Sequence, residues 1–406
     1  MLKKKFSIVI LVLFLLAAPI NAVRAAYVVP LDKWSLGDSF TLQYGTGNST
    51  KYTYDEMQNL YLNNYYNVQS TEIDIENSNL LYHQYSLELD KVNNDIVNIK
   101  KLIEQNKDVD EYQKQLADLI TLKAELYVEK ETSKFMYNNS DLYRNIKRTS
   151  QLSLFRDNIY NTKLLYEKGL VQKTLAEYAR LQANAREINK SKDMAFQSDI
   201  DLYTADYDYY ISRQELLTQQ VSANMENLLS SSGMDTARAV TISVPVAPLR
   251  VIPLKNYSDV EKSSYFNDYK SMQLGEKLRI LDGKISILKE YYKDSSNEVK
   301  LALNEKKQAE LEARRWLVQR RAILQNYYSA YKNKYVEAGI KEKKANALYH
   351  KYLIIKNKYN YNLATELSLK KAEVDYKTAV QEAWDIFCGY VEQLGKIEKA
   401  ISGNIE

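Results

Sequence analysis

The chain of 406 residues carries 56 lysines and arginines against 52 aspartates and glutamates, a formal net charge of +4. Residues 1–25 hold four of the bases and no acid, so the remainder is neutral (4 − 4 = 0) and gives no electrostatic reason to expect nucleic acid. The single cysteine, Cys388, excludes an intrachain disulfide, and with only two histidines, His83 and His350, it argues against a Cys/His metal site.

Residues 1–25 are typical of an export signal. Three lysines precede an apolar run of 13 residues, Phe6–Ala18, and Val23-Arg24-Ala25 offers small residues for cleavage. The alternative is a membrane anchor, which would need about 20 apolar residues. The sequence therefore predicts an exported protein of the cell envelope, in the outer membrane or in the periplasm or another extracytoplasmic space.

Two stretches lack helical periodicity. Residues 26–53 are predicted to be an extended N-terminal arm, in which Ser39–Tyr44 alternates polar and apolar residues and forms either one short strand or simply extended chain. Residues 239–256 alternate in the same way and contain three prolines, which rule out a helix. We interpret them as an extended linker between two helical repeats, 54–238 and 257–406.

Both predicted repeats carry long apolar stripes at helical spacing. One stripe steps by three or four residues from Leu81 to Ile103, and another does so from Leu274 to Tyr292. Stripes of this length favour coiled-coil pairing, because a long helix is stable only with neighbours along its length. A polar stretch at Asn138–Asp141 is predicted to bend or locally unwind its helix.

Two segments predict sharp helix reversals. The first, Tyr166–Thr174, contains Gly169, and a degenerate copy that begins at Tyr359 contains Asn362 at the equivalent position. Glycine and asparagine are the residues that most readily take the left-handed conformation that ends a helix. We therefore expect the same turn twice, each time between an arriving and a departing helix.

A second pair of segments supports an internal duplication. Tyr61-Leu62-Asn63-Asn64-Tyr65 returns as Tyr265-Phe266-Asn267-Asp268-Tyr269, a period of about 200 residues. The predicted fold class is all-α, with elongated antiparallel coiled-coil hairpins, a two-fold internal repeat and little or no β-structure.

The residues do not assemble into a catalytic, cofactor-binding or metal site. The glycines form neither a phosphate-binding loop nor a dinucleotide fingerprint, and no serine lies in a Gly-x-Ser-x-Gly turn, so we predict no enzymatic activity. A group of acids is either the polar face of a helix or a cation-binding or gating ring in an oligomer: Asp199, Asp201, Asp206 and Asp208. Nearby aromatics are interpreted as seam or inter-protomer contacts: Tyr207, Tyr209 and Tyr210. An arginine cluster is interpreted as a solvated stripe: Arg314, Arg315, Arg320 and Arg321.

The motif Tyr166-x-x-Gly169-Leu170-Val171-x-x-Thr174, followed by Ala179-Arg180, resembles the turn motif of the TolC family of outer-membrane efflux channels. With the partial second copy and the duplicated layout, the resemblance covers essentially the mature chain. It implies that each protomer gives two helical hairpins to a trimeric tunnel, whose turns meet a periplasmic adaptor and an inner-membrane pump. By this resemblance the partner-docking turns are Gly169, Leu170, Val171, Thr174, Asn362, Leu363 and Ala364.

The sequence departs from the family pattern opposite these turns. Family members place pairs of membrane-spanning strands there, whereas the corresponding residues here are 106–110 and 293–297, five residues each. A spanning strand needs about 9–11 residues. The sequence therefore predicts a divergent member without those strands.

Two functions from different classes follow. The first is a helical component of an envelope efflux or secretion conduit, oligomeric and docking partners through its turns. The second is an exported coiled-coil spacer or binding protein without channel activity. A trimer with a central cavity would favour the first, and a monomer or simple dimer the second.

Overall fold

A computed structural model describes residues 39–45, 49–64, 66–105, 109–192, 196–245 and 256–405. The predicted export signal, the first part of the predicted arm and residues 246–255 of the predicted linker lie outside the described residues. The described chain is mostly long helix with few strand residues, which confirms an all-α fold with little β-structure.

Nine helices and three strands follow one another in the described ranges. The helices are α1 Tyr54–Asn64, α2 Tyr66–Glu104, α3 Val109–Asn138, α4 Ser140–Lys190, α5 Gln197–Ser231, α6 Tyr257–Asn267, α7 Tyr269–Lys289, α8 Asn297–Asn360 and α9 Glu366–Ser402, and the strands are β1 Ser39–Tyr44, β2 Thr50–Thr53 and β3 Val240–Pro245. Helix α8 has 64 residues, which makes it about 96 Å long at 1.5 Å per residue. Among the described residues, none of the helices combines the length and the apolar character that crossing a membrane requires.

Short polar side chains fix where several helices begin. Thr53 and Glu56 form a capping box at α1, since the Thr53 N–H donates to Glu56 Oε2 (2.8 Å) and the Glu56 N–H donates to Thr53 Oγ1 (3.3 Å). Asp268, Ser296 and Thr365 accept in the same way from a backbone N–H three residues on, at the starts of α7, α8 and α9. These caps satisfy N–H groups that the first helical turn leaves without a partner.

A three-stranded sheet brings together the residues before α1 and the residues after α5. Strand β3 is central, antiparallel to β1 and parallel to β2. The buried ring of Phe40 packs edge-on against Tyr160 of α4 and Trp384 of α9, and the Tyr160 hydroxyl donates to the Pro245 carbonyl (2.9 Å). Ser39–Tyr44 therefore forms a strand, which is one of the two predicted alternatives, and residues predicted as a linker form the strand that pairs with it.

On one side of residue 139 the helices lie side by side in the order α2, α3, α7, α8. Val92 and Ile96 of α2 share a buried cluster with Leu116 and Ile120 of α3. Further across, Arg279 of α7 pairs with Glu131 of α3. Lys277 of α7 lies 3.1 Å from Glu312 of α8. Each helix therefore runs antiparallel to its neighbour, as the predicted coiled-coil hairpins require.

On the other side of residue 139 the order is α5, α4, α9, α8. Helices α4 and α9 are joined by the half-buried ion pair of Arg156 and Glu398 (2.6 Å), and α8 and α9 by the rings of Tyr349 and Tyr376, whose centroids are 4.8 Å apart. Helix α8 is thus one edge of both groups of four helices. Helices α2 and α5 form the opposite edge.

The predicted weak point at Asn138–Asp141 is a real break between α3 and α4. Asn139 has φ −105° and ψ 20°, outside the helical range. Its side-chain amide donates to the Phe135 carbonyl (2.8 Å). The polar stretch therefore separates two helices that follow one another directly.

A second break, at Asp268, separates α6 from α7. The Asp268 carboxylate is buried and accepts from Trp316 Nε1 (3.1 Å) and from Arg320 Nη1 (2.7 Å) of α8. Arg320 was predicted to lie in a solvated stripe, which is wrong for this residue because its charge compensates a buried carboxylate. Arg314 and Arg315 are exposed, as predicted.

Candidate docking site at the hairpin turns

The reversal between α8 and α9 is built around Asn362. Its φ is 59°, in the left-handed region. The Asn362 N–H donates to the Tyr359 carbonyl (2.9 Å) and the Leu363 N–H to the Lys358 carbonyl (2.8 Å). These two bonds form a Schellman motif, which satisfies the last carbonyl groups of α8. The structure thus has the predicted reversal at Asn362, while the docking role of its residues stays a prediction.

This turn presents two large side chains to solvent. Tyr361 is 77% exposed and Leu363 is 75% exposed. Ala364 is half-buried and precedes Thr365, whose Oγ1 accepts from the Ser368 N–H (3.2 Å) and so caps α9. Because both flanking helix ends are capped, the exposed side chains stand on a defined backbone. Tyr361 and Leu363 therefore form a small exposed apolar surface at this turn.

The reversal predicted at Gly169 is wrong, because Gly169 lies inside the continuous helix α4. Glycine permits a left-handed turn but does not require one, and within a helix it costs only about 1 kcal/mol relative to alanine. A Cβ atom at Gly169 would lie 3.9 Å from the Cβ of Leu217 on α5. Packing of α4 against its neighbours outweighs the weak helix propensity of this one residue.

The other predicted docking residues of this segment also belong to helix packing. Val171 and Thr174 are buried. Thr174 Oγ1 donates to the Leu170 carbonyl one turn earlier (2.8 Å) and accepts from Lys377 Nζ of α9 (3.1 Å). The alignment of Gly169 with Asn362 therefore pairs a residue in mid-helix with a residue in a turn.

The first hairpin reverses farther along the chain, between Lys190 of α4 and Gln197 of α5. The side chains of these two residues are hydrogen-bonded to each other. Phe196, directly before α5, is 79% exposed, and Ile188 is 60% exposed. Sequence reasoning missed this reversal because no glycine or proline marks it. The available signal was the run of consecutive polar residues that starts at Asn189.

Both reversals lie at the same end of the helices. Lys370 of α9 lies 2.8 Å from Glu177 of α4, so these two positions are level. From there α4 continues 13 residues to Lys190, whereas α9 begins only four residues earlier, at Glu366. At 1.5 Å per residue the α4–α5 hairpin extends about 13 Å beyond the start of α9. The two turns, each with exposed apolar side chains, therefore lie at the same end of the helices but are offset from each other along the helix direction.

Other chemistry-bearing residues do not converge on this end. Among the described residues, no group of three or more His, Cys, Asp or Glu side chains could hold a metal ion. Of the acids on α5, Asp201 and Asp208 are exposed. Cys388 is buried, and burial raises the pKa of its thiol, which donates to the Tyr160 carbonyl (3.4 Å). Cys388 is therefore a small buried residue, as predicted.

No family model and no curated protein sequence matches this chain. Solved structures do match. A membrane protein from Pseudomonas aeruginosa is similar over 95% of this chain and 99% of its own, with a TM-score of 0.55 at 11% identity. The open state of the MtrE outer membrane channel of Neisseria gonorrhoeae is similar over 87% and 89%, with a TM-score of 0.51 at 11% identity.

The fold is similar to that of the MtrE outer membrane channel. The resemblance to the TolC family is thereby confirmed at the level of the fold, since the matched channels belong to that family. The motif at Gly169 that first suggested the resemblance is not a turn in this chain. The arrangement of long antiparallel helices carries the similarity instead.

Proposed function

We propose that this protein is the exported helical component of an efflux or secretion conduit in the cell envelope. It works as a homo-oligomer, a trimer by resemblance to the TolC family, and docks a periplasmic adaptor and an inner-membrane pump. The observation that carries the proposal is the placement of exposed apolar side chains at two hairpin turns that lie at one end of a channel-like fold.

The docking residues that we propose differ from those suggested by the sequence motif. Phe196, Tyr361 and Leu363 supply the apolar contact area, since each is at least three-quarters exposed. Asn362 holds the second turn in shape, and Ala364 completes it. Aromatic side chains are enriched among the residues that dominate binding energies at protein interfaces.

Site-specific photo-crosslinking in living cells tests this proposal. A photoreactive phenylalanine analogue is placed at Phe196 or at Tyr361, and the matched control is Phe266, which is 77% exposed but lies at the end of α6. We expect light-dependent adducts with a second envelope protein from Phe196 and Tyr361 and not from Phe266. Adducts of equal yield from all three positions, or none from the two turn positions, would favour the spacer function instead.

A further inference from the structure

The two edges of the helix arrangement carry opposite charge. Helix α8 holds fifteen basic and six acidic side chains. On the opposite edge, α2 holds three basic and seven acidic side chains, and α5 one basic and six acidic. The excess is therefore nine positive charges on the whole of α8 and nine negative charges on α2 and α5 together, a count that includes bases such as Arg320 that pair within the copy. Surfaces of one chain with such balanced charges are complementary to each other in two copies.

Both edges also carry exposed apolar side chains. On α5, Leu202 is 59% exposed, Tyr209 60% and Leu216 41%, at a spacing of seven residues. On α8, Ile340 is 62% exposed and Ile354 57%, and exposed Ala347 lies midway between them. A seven-residue repeat of apolar groups is the pattern of a helix that packs along a partner helix.

Charged residues follow the same repeat beside each apolar stripe. Asp201, Asp208 and Glu215 precede the three apolar residues of α5, and all three acids are exposed. On α8 the exposed bases are Lys344, Lys351 and Lys358, again seven residues apart. Asp208, Lys351 and Lys358 form no ion pair within the described part of the chain, whereas Lys344 lies 3.1 Å from Glu382. Charges beside an apolar seam select the partner helix and its register.

We infer that the acidic α5 edge of one copy packs antiparallel against the basic α8 edge of the next, with Tyr209 beside Ile354 and Asp208 beside Lys351. This inference rests on the proposed homo-oligomer and assigns its interface. Contact between two different surfaces of identical copies is heterologous, and it closes into a ring when the rotation per copy divides a full turn.

The positions of residues along the common helix direction, compared from α5 across to α8, support this register. Leu217 of α5 lies beside Gly169 of α4, and Thr174 of α4 beside Lys377 of α9. Tyr376 of α9 lies beside Tyr349 of α8. These contacts can be followed from α5 through α4 and α9 to α8, counting residues along each helix at equal rise. They place Leu217 level with about residue 343 of α8.

Rotation about an axis parallel to the helices keeps all copies at equal height, so positions that are level within one copy meet between copies. Leu216 then lies within about one helical turn of Ala347 in the next copy, and Tyr209 within about one turn of Ile354. Because the two helices run in opposite directions and both repeats have a period of seven, the same register pairs Leu216 with Ala347 and Tyr209 with Ile354.

The same match recurs on the other side of residue 139. On α2, Ile73 is 56% exposed, Leu80 59% and Leu87 65%. On α8, Leu311 is 65% and Val318 75% exposed, also seven residues apart. The inferred edge contact therefore extends along both groups of four helices. Bases lie beside the α8 residues, among them Arg314 and Arg315.

Cysteine crosslinking in the full chain tests the register. The pair Tyr209→Cys and Ile354→Cys is compared with the pair Tyr209→Cys and Ile340→Cys, whose second position is equally exposed but lies 14 residues away, about 21 Å. Helices α5 and α8 are separated by two others, so no disulfide can form within one copy. The native Cys388 is buried and does not compete. We expect crosslinked oligomers from the first pair only.

A charge reversal tests the electrostatic part. Lys351→Glu with Lys358→Glu should weaken association at least about tenfold, as measured by mass photometry. Adding Asp201→Lys and Asp208→Lys to the same chain should restore it, which also controls for folding.

Crosslinking through Ile340 instead of Ile354, or an oligomer unaffected by charge reversal, would overturn the inference. If photo-crosslinks from Phe196 and Tyr361 persist in that case, the proposed function stands and only the interface is wrong. A chain that is monomeric under all conditions would overturn the inference together with the homo-oligomer.

Discussion

The ammonium group of Lys370 on α9 lies 2.8 Å from a carboxylate oxygen of Glu177 on α4. This ion pair joins the two hairpins close to their turns. It fixes the relative heights of the reversals at Asn362 and at Lys190–Gln197. The candidate docking surface depends on this alignment, because the exposed side chains of both turns belong to one surface only if the hairpins end near each other.

Asn362→Val should destabilise the protein by about 1–2 kcal/mol, because a β-branched residue is strained at a φ of 59°. Asn362→Gly should be neutral or slightly stabilising, since glycine adopts this conformation without strain. The measurement is the midpoint of urea unfolding. The matched control is Asn357→Val, at an exposed helical position of α8, which should cost only a few tenths of a kcal/mol. Equal effects at both positions would contradict the left-handed turn.

Gly169→Ala should stabilise the protein by about 0.5–1 kcal/mol, since alanine is the better helix former. The added methyl group would lie in ordinary contact, 3.9 Å from the Cβ of Leu217. Thermal unfolding of the purified variant measures the change. A loss of stability would instead indicate that the segment reverses at Gly169, as the sequence motif suggested.

Gly403→Ala should destabilise the protein by about 2–4 kcal/mol. Gly403 has φ 107°, and a Cβ atom there would lie 2.0 Å from the carbonyl oxygen of Asn267, so α9 could no longer end against the junction of α6 and α7. Gly275→Ala is the control, because a Cβ atom at that position of α7 meets nothing within 4 Å. Its helix should gain about 0.5–1 kcal/mol. Similar thermal midpoints for the two variants would show that the contact at Asn267 is absent.

Asp157 makes stability depend on pH. Burial raises the pKa of its carboxyl to about 6, whereas an unfolded aspartate titrates near about 4. Between these values the folded state binds more protons than the unfolded state, so this group lowers stability as the pH rises from about 4 to about 6. Asp157→Asn should remove that dependence and stabilise the protein by about 2 kcal/mol at pH 7.

Urea unfolding at pH 4, 5, 6 and 7 measures the effect of Asp157. Asp118→Asn, the same substitution at an exposed position of α3, serves as the control. If the profile of Asp157→Asn matched that of the unaltered chain, the carboxyl would be solvated in the folded protein.

Local patterns predicted the helices well but only one of the two turns. The apolar stripe from Leu81 to Ile103 predicts one structure only, because a long run of three- and four-residue steps fits only a helix with a partner. The turn at Asn362 was predicted correctly because its backbone takes the left-handed conformation, which asparagine tolerates. Gly169 misled because a glycine in a helix and a glycine in a turn look alike in a sequence. Neighbouring helices decide between them.

Contacts between residues far apart in the sequence were the other part of the fold that could not be predicted. Strand β1 pairs with β3 about 200 residues later, Leu42 lying opposite Ile242. The sequence of each strand is short and fits an unpaired extended chain equally well. Packing on α4 and α9 determines which strands pair. The Asp268–Arg320 pair was missed for the same reason, since a charged residue in a polar-looking stripe gives no sign of a buried partner.

Electron microscopy of the purified full chain tests the central claim most directly. The account predicts ring-shaped particles with a central opening, in which identical copies meet edge to edge and both hairpin turns lie at one rim. Single copies, or bundles without an opening, would contradict it.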